Sequence, residues 1–262
     1  MNCHRTRRPP PDTCAVLPAT PFTPESIGLK PAPVAALVQA AKAAGTSGFA
    51  VLKDGKRMAA FNEQQPYSIY TVTKRMVSVA VSRLFPEGKW ASIELPIGQL
   101  LPAFAADPKG AVTRRQLMSH ASGIRDARNA NSNRVLKQWN EARDWVEAAR
   151  LQAVQDPPGT VFKYNNPGPA IVAAAVEHAI GERLDRFLRR TELDSLCIRE
   201  NTSWFADAAG HAVGYTGLSI SAFDPGKIGE LILNTGQWGA NRILSEESVR
   251  KSAYTSSQTV NS

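Results

Sequence analysis

Apolar positions recur at helical spacing over residues 33–44, an Ala- and Val-rich stretch that ends at Gly45, a residue suited to closing a helix. Two short apolar runs follow, at 48–52 and 57–61, on either side of Lys53-Asp54-Gly55-Lys56. Asp-Gly tolerates positive φ, so the segment predicts a β-hairpin. Over 73–85, Met76, Val77, Ala80, Val81 and Leu84 form a face so wide that the predicted helix is a buried one. Further helices are predicted over 114–120, 135–152, 170–180 (stopped by Gly181), 182–193, 228–234 and 245–252. A helix, a hairpin and then many helices, without a fixed-period repeat, predict an α+β fold with a large helical portion.

The first 26 residues break this pattern. Pro9, Pro10, Pro11, Pro18, Pro21 and Pro24 deny the stretch backbone donors and helical freedom. A disordered proline-rich tail is therefore expected over 1–26, with the folded domain over 27–262. The basic start precedes only Cys14-Ala15-Val16-Leu17 before Pro18 intervenes, which is too short for a secretory signal. As written the chain reads as cytoplasmic, and its compartment stays open.

Composition narrows the function classes. At 262 residues, 43% apolar and 21% charged, global disorder is excluded, and no apolar run reaches bilayer-crossing length. The net charge of +8 admits an anionic partner, but Lys and Arg are spread along the chain without the aromatic interleaving of a nucleic-acid groove. No nucleic-acid partner is expected. Cys3, Cys14 and Cys197 are too few and too scattered for a disulfide framework or a zinc site, although Cys3 and Cys14 can pair in an oxidising compartment. His4, His120, His178 and His211 form no i, i+4 pair, so neither metal nor cofactor is expected.

Thr71 and Lys74, three residues apart at the head of the buried helix, are expected to share a helix face. A hydroxyl beside an amine whose pKa burial lowers is a recipe for an activated oxygen nucleophile. Taken alone, T-x-x-K also fits a capping Thr with an exposed Lys. Downstream come Thr113-Arg114-Arg115-Gln116-Leu117-Met118-Ser119-His120-Ala121-Ser122-Gly123-Ile124 and then Pro158-Gly159-Thr160-Val161-Phe162-Lys163-Tyr164-Asn165-Asn166-Pro167-Gly168. In this order and spacing the three segments resemble the serine β-lactamase-like superfamily, in the branch of class C β-lactamases, esterases, D-alanyl carboxypeptidases and aminohexanoate-dimer hydrolases. The stretches at 217–224 and 229–236 resemble the family's later region, so the likeness covers roughly 45–255.

The resemblance implies a helical region packed on an antiparallel sheet, with the site at their junction. It also implies acyl transfer on a small-molecule ester or amide through a covalent acyl-enzyme. Thr71 takes the nucleophile position, Lys74 the motif lysine, Tyr164 the motif tyrosine and Asn166 the motif asparagine. Lys74 and Tyr164 would move protons, the tyrosine favoured as phenolate between lysines. Asn166 would hold Lys74 or a substrate amide. His120 reads as a structural hydrogen-bonding residue. Trp139, Trp145, Trp204 and Trp238 read as packing or site-wall residues.

Two departures keep a rival open. The nucleophile is threonine where the family has serine, and its methyl restricts χ1 and crowds the attack. The family's third motif, Lys or His with Thr/Ser/Gly and Gly on a strand, has no good match; Tyr215-Thr216-Gly217 fits an earlier glycine turn better. The chain stops at Ser262, about where the closing strands are expected, so the sheet is expected to be incomplete. The alternative is thus a catalytically inactive homologue or truncated fragment acting as a binding module. Substrate identity and oligomeric state are not legible.

Overall fold

The structure is a computed structural model that describes residues 22–129, 133–198 and 202–254. Its first elements are α1 (Pro31–Ala43), β1 (Phe49–Lys53), β2 (Lys56–Phe61), β3 (Pro66–Ser68), α2 (Thr73–Arg83), α3 (Ile97–Leu100) and α4 (Arg114–Met118). Then come α5 (Asn133–Asn140), α6 (Trp145–Arg150), α7 (Pro167–Ile180) and α8 (Leu184–Leu188). The last are β4 (Ser203–Trp204), β5 (Leu218–Ser221), α9 (Asp224–Leu233), β6 (Gln237–Trp238), β7 (Asn241–Arg242) and α10 (Glu246–Tyr254). Helices combined with short antiparallel strands make the fold α+β, as the residue pattern implies.

These elements fall into two compact units, where one domain over 27–262 is expected. One comprises the described residues up to Tyr67 and those within 189–202, together with Ile220–Ile243. The other comprises the described residues within 68–188 and from Leu244 onward, together with Ser203–Ser219.

In the first unit β1 and β2 pair antiparallel from Phe49↔Phe61 to Lys53↔Lys56, with a bulge between Val51 and Leu52. Asp54 and Gly55 both have positive φ, 51° and 70°, which is the turn chemistry the sequence predicts. The rings of Phe49 and Phe61 stack at 5.5 Å across the pair. α9 lies against β1 so closely that a Cβ on Gly226 would sit 2.8 Å from Leu52 Cδ1. Part of the expected tail belongs here and is ordered. Pro24–Ile27 form a 3₁₀ turn capped by Thr23, and Phe22 N–H donates to Arg57 O at 2.8 Å. Proline at the first helical positions favours such a turn, so the proline content of this piece does not mean disorder. Residues 1–21, with Cys3, Cys14 and the rest of the expected tail, lie outside the described residues, and Cys197 is disulfide-bonded.

The second unit is built on two buried helices. In α2 nine positions from Thr73 to Ser82 are buried, and in α7 every residue from Pro167 to Glu177 is. α4 approaches α7 closely enough that a Cβ on Gly168 would lie 2.4 Å from Leu117 O, so only glycine fits. α4 starts in a reciprocal capping box between Thr113 and Gln116. α10 is tied to α2 by the Ser248 hydroxyl, which donates to Ser82 O at 2.9 Å. β4 pairs antiparallel with β5 through Ser203↔Ser219 and Trp204↔Leu218.

Two predicted helices are corrected here. The helix expected over 135–152 is two, because Asp144 is extended and its carboxylate accepts from Val146 and Glu147 N–H, starting α6 afresh. The helix expected over 182–193 is α8 followed by a π-turn at Arg189–Leu193.

Candidate active site

Every residue of the predicted site lies in the second unit. Thr71 is not on α2 but in the 3₁₀ turn Tyr70–Val72 immediately before it. The turn is pinned at both ends. Ile69 N–H donates to Leu218 O at 3.0 Å, and Thr73 Oγ1 accepts from Leu218 N–H at 3.4 Å. Between these anchors Tyr70 takes φ +42°, a left-handed conformation that a bulky residue adopts only when its surroundings impose it. The result is an exposed Thr71 hydroxyl held just ahead of a buried helix.

Lys74, one residue into α2, is 8% exposed. Its ammonium donates to Tyr215 O at 2.9 Å and lies over the Tyr164 and Tyr215 rings, 4.9 Å and 5.8 Å from their centroids. Burial draws the Lys74 pKa below its ordinary value, and the neighbouring Tyr164 only partly offsets this. Tyr164, carried by the loop before α7, places its hydroxyl 2.8 Å from Thr71 Oγ1, and either oxygen can be the donor. Three of the predicted residues therefore converge. The expectation of a tyrosine between two lysines is corrected, because Lys163 turns away to pair with Asp156 at 2.7 Å.

Asn166 is 2% exposed at the head of α7, and its Oδ1 has no partner among the described residues. That oxygen receives no hydrogen bond from Lys74, whose amine donates to Tyr215 O. Asn166 contributes its main chain instead, its N–H donating to Asp126 Oδ2 at 2.9 Å. The Asp126 carboxylate also takes Arg128 N–H at 2.9 Å and the Arg128 guanidinium at 3.1 and 2.9 Å. Burial alone would raise the Asp126 pKa, but the bonds from Arg128 and from Asn166 N–H outweigh it and hold the carboxyl below its ordinary range. Asp126 and Arg128 are therefore supports of the site that the motifs do not mark.

His120 behaves as the structural residue expected. Its Nδ1 accepts from Asn165 N–H at 3.3 Å, and its ring leans on Tyr164 with 4.6 Å between centroids. Burial, aided by the charge of Lys74, pushes its pKa down to about 4, so it is a neutral acceptor near pH 7. Lys74, Ser78, Met118, His120, Phe162 and Pro169 border a cavity of about 190 Å³. Tyr215 is a third residue whose part in the site the motifs do not mark. It is 7% exposed between Trp139 and Trp145, with ring centroids 5.8 and 5.6 Å away, and burial raises its phenol above the ordinary value. A Cβ on the following Gly217, at φ +88°, would meet Phe205 Cβ at 2.9 Å. Among the described residues no group of three His, Cys, Asp or Glu could hold a metal ion, and no helix is long and apolar enough to cross a membrane.

A family model described as beta-lactamase matches residues 34–228, most of the chain and all of this cluster. The chain belongs to the β-lactamase family. Solved structures with the same fold include a protein of Bacillus anthracis provisionally named a 6-aminohexanoate-dimer hydrolase, with TM-score 0.76 and 19% identity over 92% of this chain and 68% of that one. A provisionally named β-lactamase from Bacteroides dorei DSM 17855 gives TM-score 0.65 and 19% identity, over 83% of this chain and 68% of the other. The octameric penicillin-binding protein homologue from Pyrococcus abyssi gives 0.61 and 18%, and there the chain spans 58% of its relative's length. At these identities the likeness carries the fold, and the β-lactamase-related hydrolase family stands on the matched model.

Proposed function

We propose that this chain is an acyl-transfer hydrolase of small esters or amides, with Thr71 as nucleophile. The observation that carries this reading is the 2.8 Å contact between Thr71 Oγ1 and the Tyr164 hydroxyl, beside an amine whose pKa burial has lowered. Thr71 Oγ1 attacks the substrate carbonyl carbon, and its proton passes to the Tyr164 oxygen while Tyr164 gives its own to Lys74. The tetrahedral adduct collapses to a threonyl ester as the leaving alcohol or amine takes a proton back along the same path. Water then repeats the sequence to release the acid. Tyr215 O fixes the amine by accepting a hydrogen bond from it, and in the neutral form that burial favours, the nitrogen lone pair receives the Tyr164 proton. Asn166, through its main-chain N–H, and Asp126, through the carboxylate that accepts it, act as positioning residues.

The test is hydrolysis of p-nitrophenyl esters together with fluorophosphonate labelling mapped by peptide mass spectrometry. Saturable hydrolysis, with the label on Thr71 and both lost in Thr71→Ala, is the expected result. Absence of hydrolysis and of label on the purified chain overturns the reading.

A second reading, a catalytically silent homologue that binds without turning over, is favoured by one feature, the β-branched alcohol at the nucleophile position. Thr71→Ser separates the two. If the wild type is inert and serine produces hydrolysis, the silent reading stands and the extra methyl is its cause.

A further inference from the structure

A second hollow in the Ser68–Leu188 stretch, beside α5 and α6, has a volume of about 360 Å³, and neither Thr71, Lys74 nor Tyr164 lines it. That size falls in the range of small-molecule pockets, roughly 300–1,000 Å³. Its apolar wall includes Trp139, 2% exposed, and Ala148. Two guanidinium groups, Arg125 and Arg143, line the same space. Among the described residues neither is engaged by a carboxylate, and Arg125 Nε is buried without a partner.

Two carboxylates also border the cavity, Glu147 paired with Arg150 and Asp144 engaged as a helix cap through one oxygen. Asp144 Oδ1 accepts from the Val146 and Glu147 N–H groups at 2.9 Å each, and Glu147 grips Arg150 through both oxygens at 2.6 Å. The lining thus holds two guanidinium groups that no carboxylate engages, against one carboxylate paired with Arg150 and one that caps α6 through Oδ1. Gln152, 7% exposed, adds a polar mark. Its Nε2 donates to Ala148 O at 3.0 Å, while its Oε1 is buried without a donor. Buried acceptors are nearly always satisfied, so this one, in a cavity wall, calls for a donor from outside the described residues.

We propose that this cavity binds a small monocarboxylate with an aromatic or apolar body and an N–H or O–H donor. The carboxylate pairs with Arg125 and Arg143, whose planar forks suit it. The body packs on Trp139, and the donor answers Gln152. The proposal goes beyond the hydrolase reading and does not depend on it.

Hippurate, which combines a carboxylate, an amide N–H and a phenyl ring, is the probe. Titrated into ¹⁵N-labelled full chain, it is expected to shift the Trp139 indole resonance, assigned with Trp139→Phe, in a saturable way. Hippuramide, the same molecule without the charge, is expected to bind about tenfold or more weakly, and Arg143→Gln to weaken hippurate by a similar factor. Arg143 is exposed, so its variant keeps the fold; Arg125→Gln is a second arm whose folding is checked by circular dichroism. No saturable shift at Trp139, equal affinity for hippuramide, or undiminished affinity in Arg143→Gln would each overturn the proposal. Ester hydrolysis measured on the same samples separates the two claims. Turnover without a Trp139 shift sinks the pocket alone, and a Trp139 shift without turnover sinks the hydrolase alone.

Discussion

Replacing Asp126 by alanine tests whether the site is held from behind. Asp126 is 3% exposed and accepts Asn166 N–H at 2.9 Å, together with Arg128 through both main chain and side chain. Alanine strands the Asn166 N–H at a position 2% exposed, where water cannot replace the acceptor. A hydrogen bond to a charged group contributes about 1.5–3 kcal/mol, and an orphaned buried donor costs about 1–3 kcal/mol. These are two views of one bond and do not sum. The Arg128 side chain is nearly half exposed, so its ion pair adds no more than about 1 kcal/mol. The expected loss for Asp126→Ala is therefore about 3 kcal/mol. Asp126→Asn keeps an acceptor for one N–H and is expected to lose about half of that.

Urea unfolding at neutral pH reads the difference as a shift in midpoint at constant slope. Acid titration gives an independent check. The Asp126 pKa lies below its ordinary value of 3.8, so its contribution is present above that pH and is lost as the pH falls through the folded-state value. The alanine variant lacks that part of the acid limb. Asn166 is two residues from Tyr164, so loosening it is expected to lower kcat about tenfold or more through misplacement of the phenol. Destabilisation of Asp126→Ala by less than about 0.5 kcal/mol, or by less than Asp126→Asn, would refute the reasoning.

Tyr164→Phe removes the hydroxyl on Thr71 at a residue 37% exposed, so stability is expected to fall by no more than about 1 kcal/mol while hydrolysis falls about 10²–10⁴-fold; equal activity of the two proteins in the ester assay would remove Tyr164 from the mechanism. Tyr70→Gly relieves a positive φ at a side chain 71% exposed, but it also frees the unfolded chain. Its Tm is expected to stay within a few degrees while kcat drops, and a rise in kcat would show that the strain is not used. Stability is also expected to fall on both sides of neutral pH. Burial keeps His120 neutral, so stability erodes as pH falls from 6.5 toward about 4. The bond to Glu177 raises the His211 pKa, so that pair's contribution is complete below 6.5 and is lost as pH rises through the higher folded value. His211→Gln should flatten the alkaline limb in Tm scans from pH 6 to 9 and leave the acid limb unchanged.

The parts of this molecule legible in its residues are those whose cause is local. Asp54-Gly55 makes its turn because its own φ angles permit it, and α2 is buried because its apolar face is too wide for solvent. The break between α5 and α6 escapes a periodicity argument because the apolar spacing runs on through it, and only the Asp144 side chain, competing for the Val146 and Glu147 N–H groups, marks a new start. That signal is present in the sequence, since an aspartate immediately before a helical stretch can cap it by accepting from the N–H groups two and three residues on. The ordering of residues 22–26 was less accessible, because it rests on Phe22 N–H meeting Arg57 O, 35 residues on.

The site divides along the same line. Thr71, Lys74 and Tyr164 are legible because each contributes a side chain whose chemistry is its identity, and their motifs come in a recognisable order although 93 residues separate Thr71 from Tyr164. What holds them does not announce itself in this way. Lys74 is fixed by the carbonyl of Tyr215, Asp126 is answered by the N–H of Asn166, and His120 by the N–H of Asn165. Apart from proline's missing donor, every residue type supplies those main-chain groups, so the amino acid at the position carries no trace of the job. Asn166 falls on both sides of this division. Its motif position points to the side-chain amide, whereas the described hydrogen bond comes from its backbone and the amide oxygen stays buried and unpaired. A sequence declares the groups that do chemistry more readily than those that place them, because the first are chosen by side chain and the second by where the chain turns.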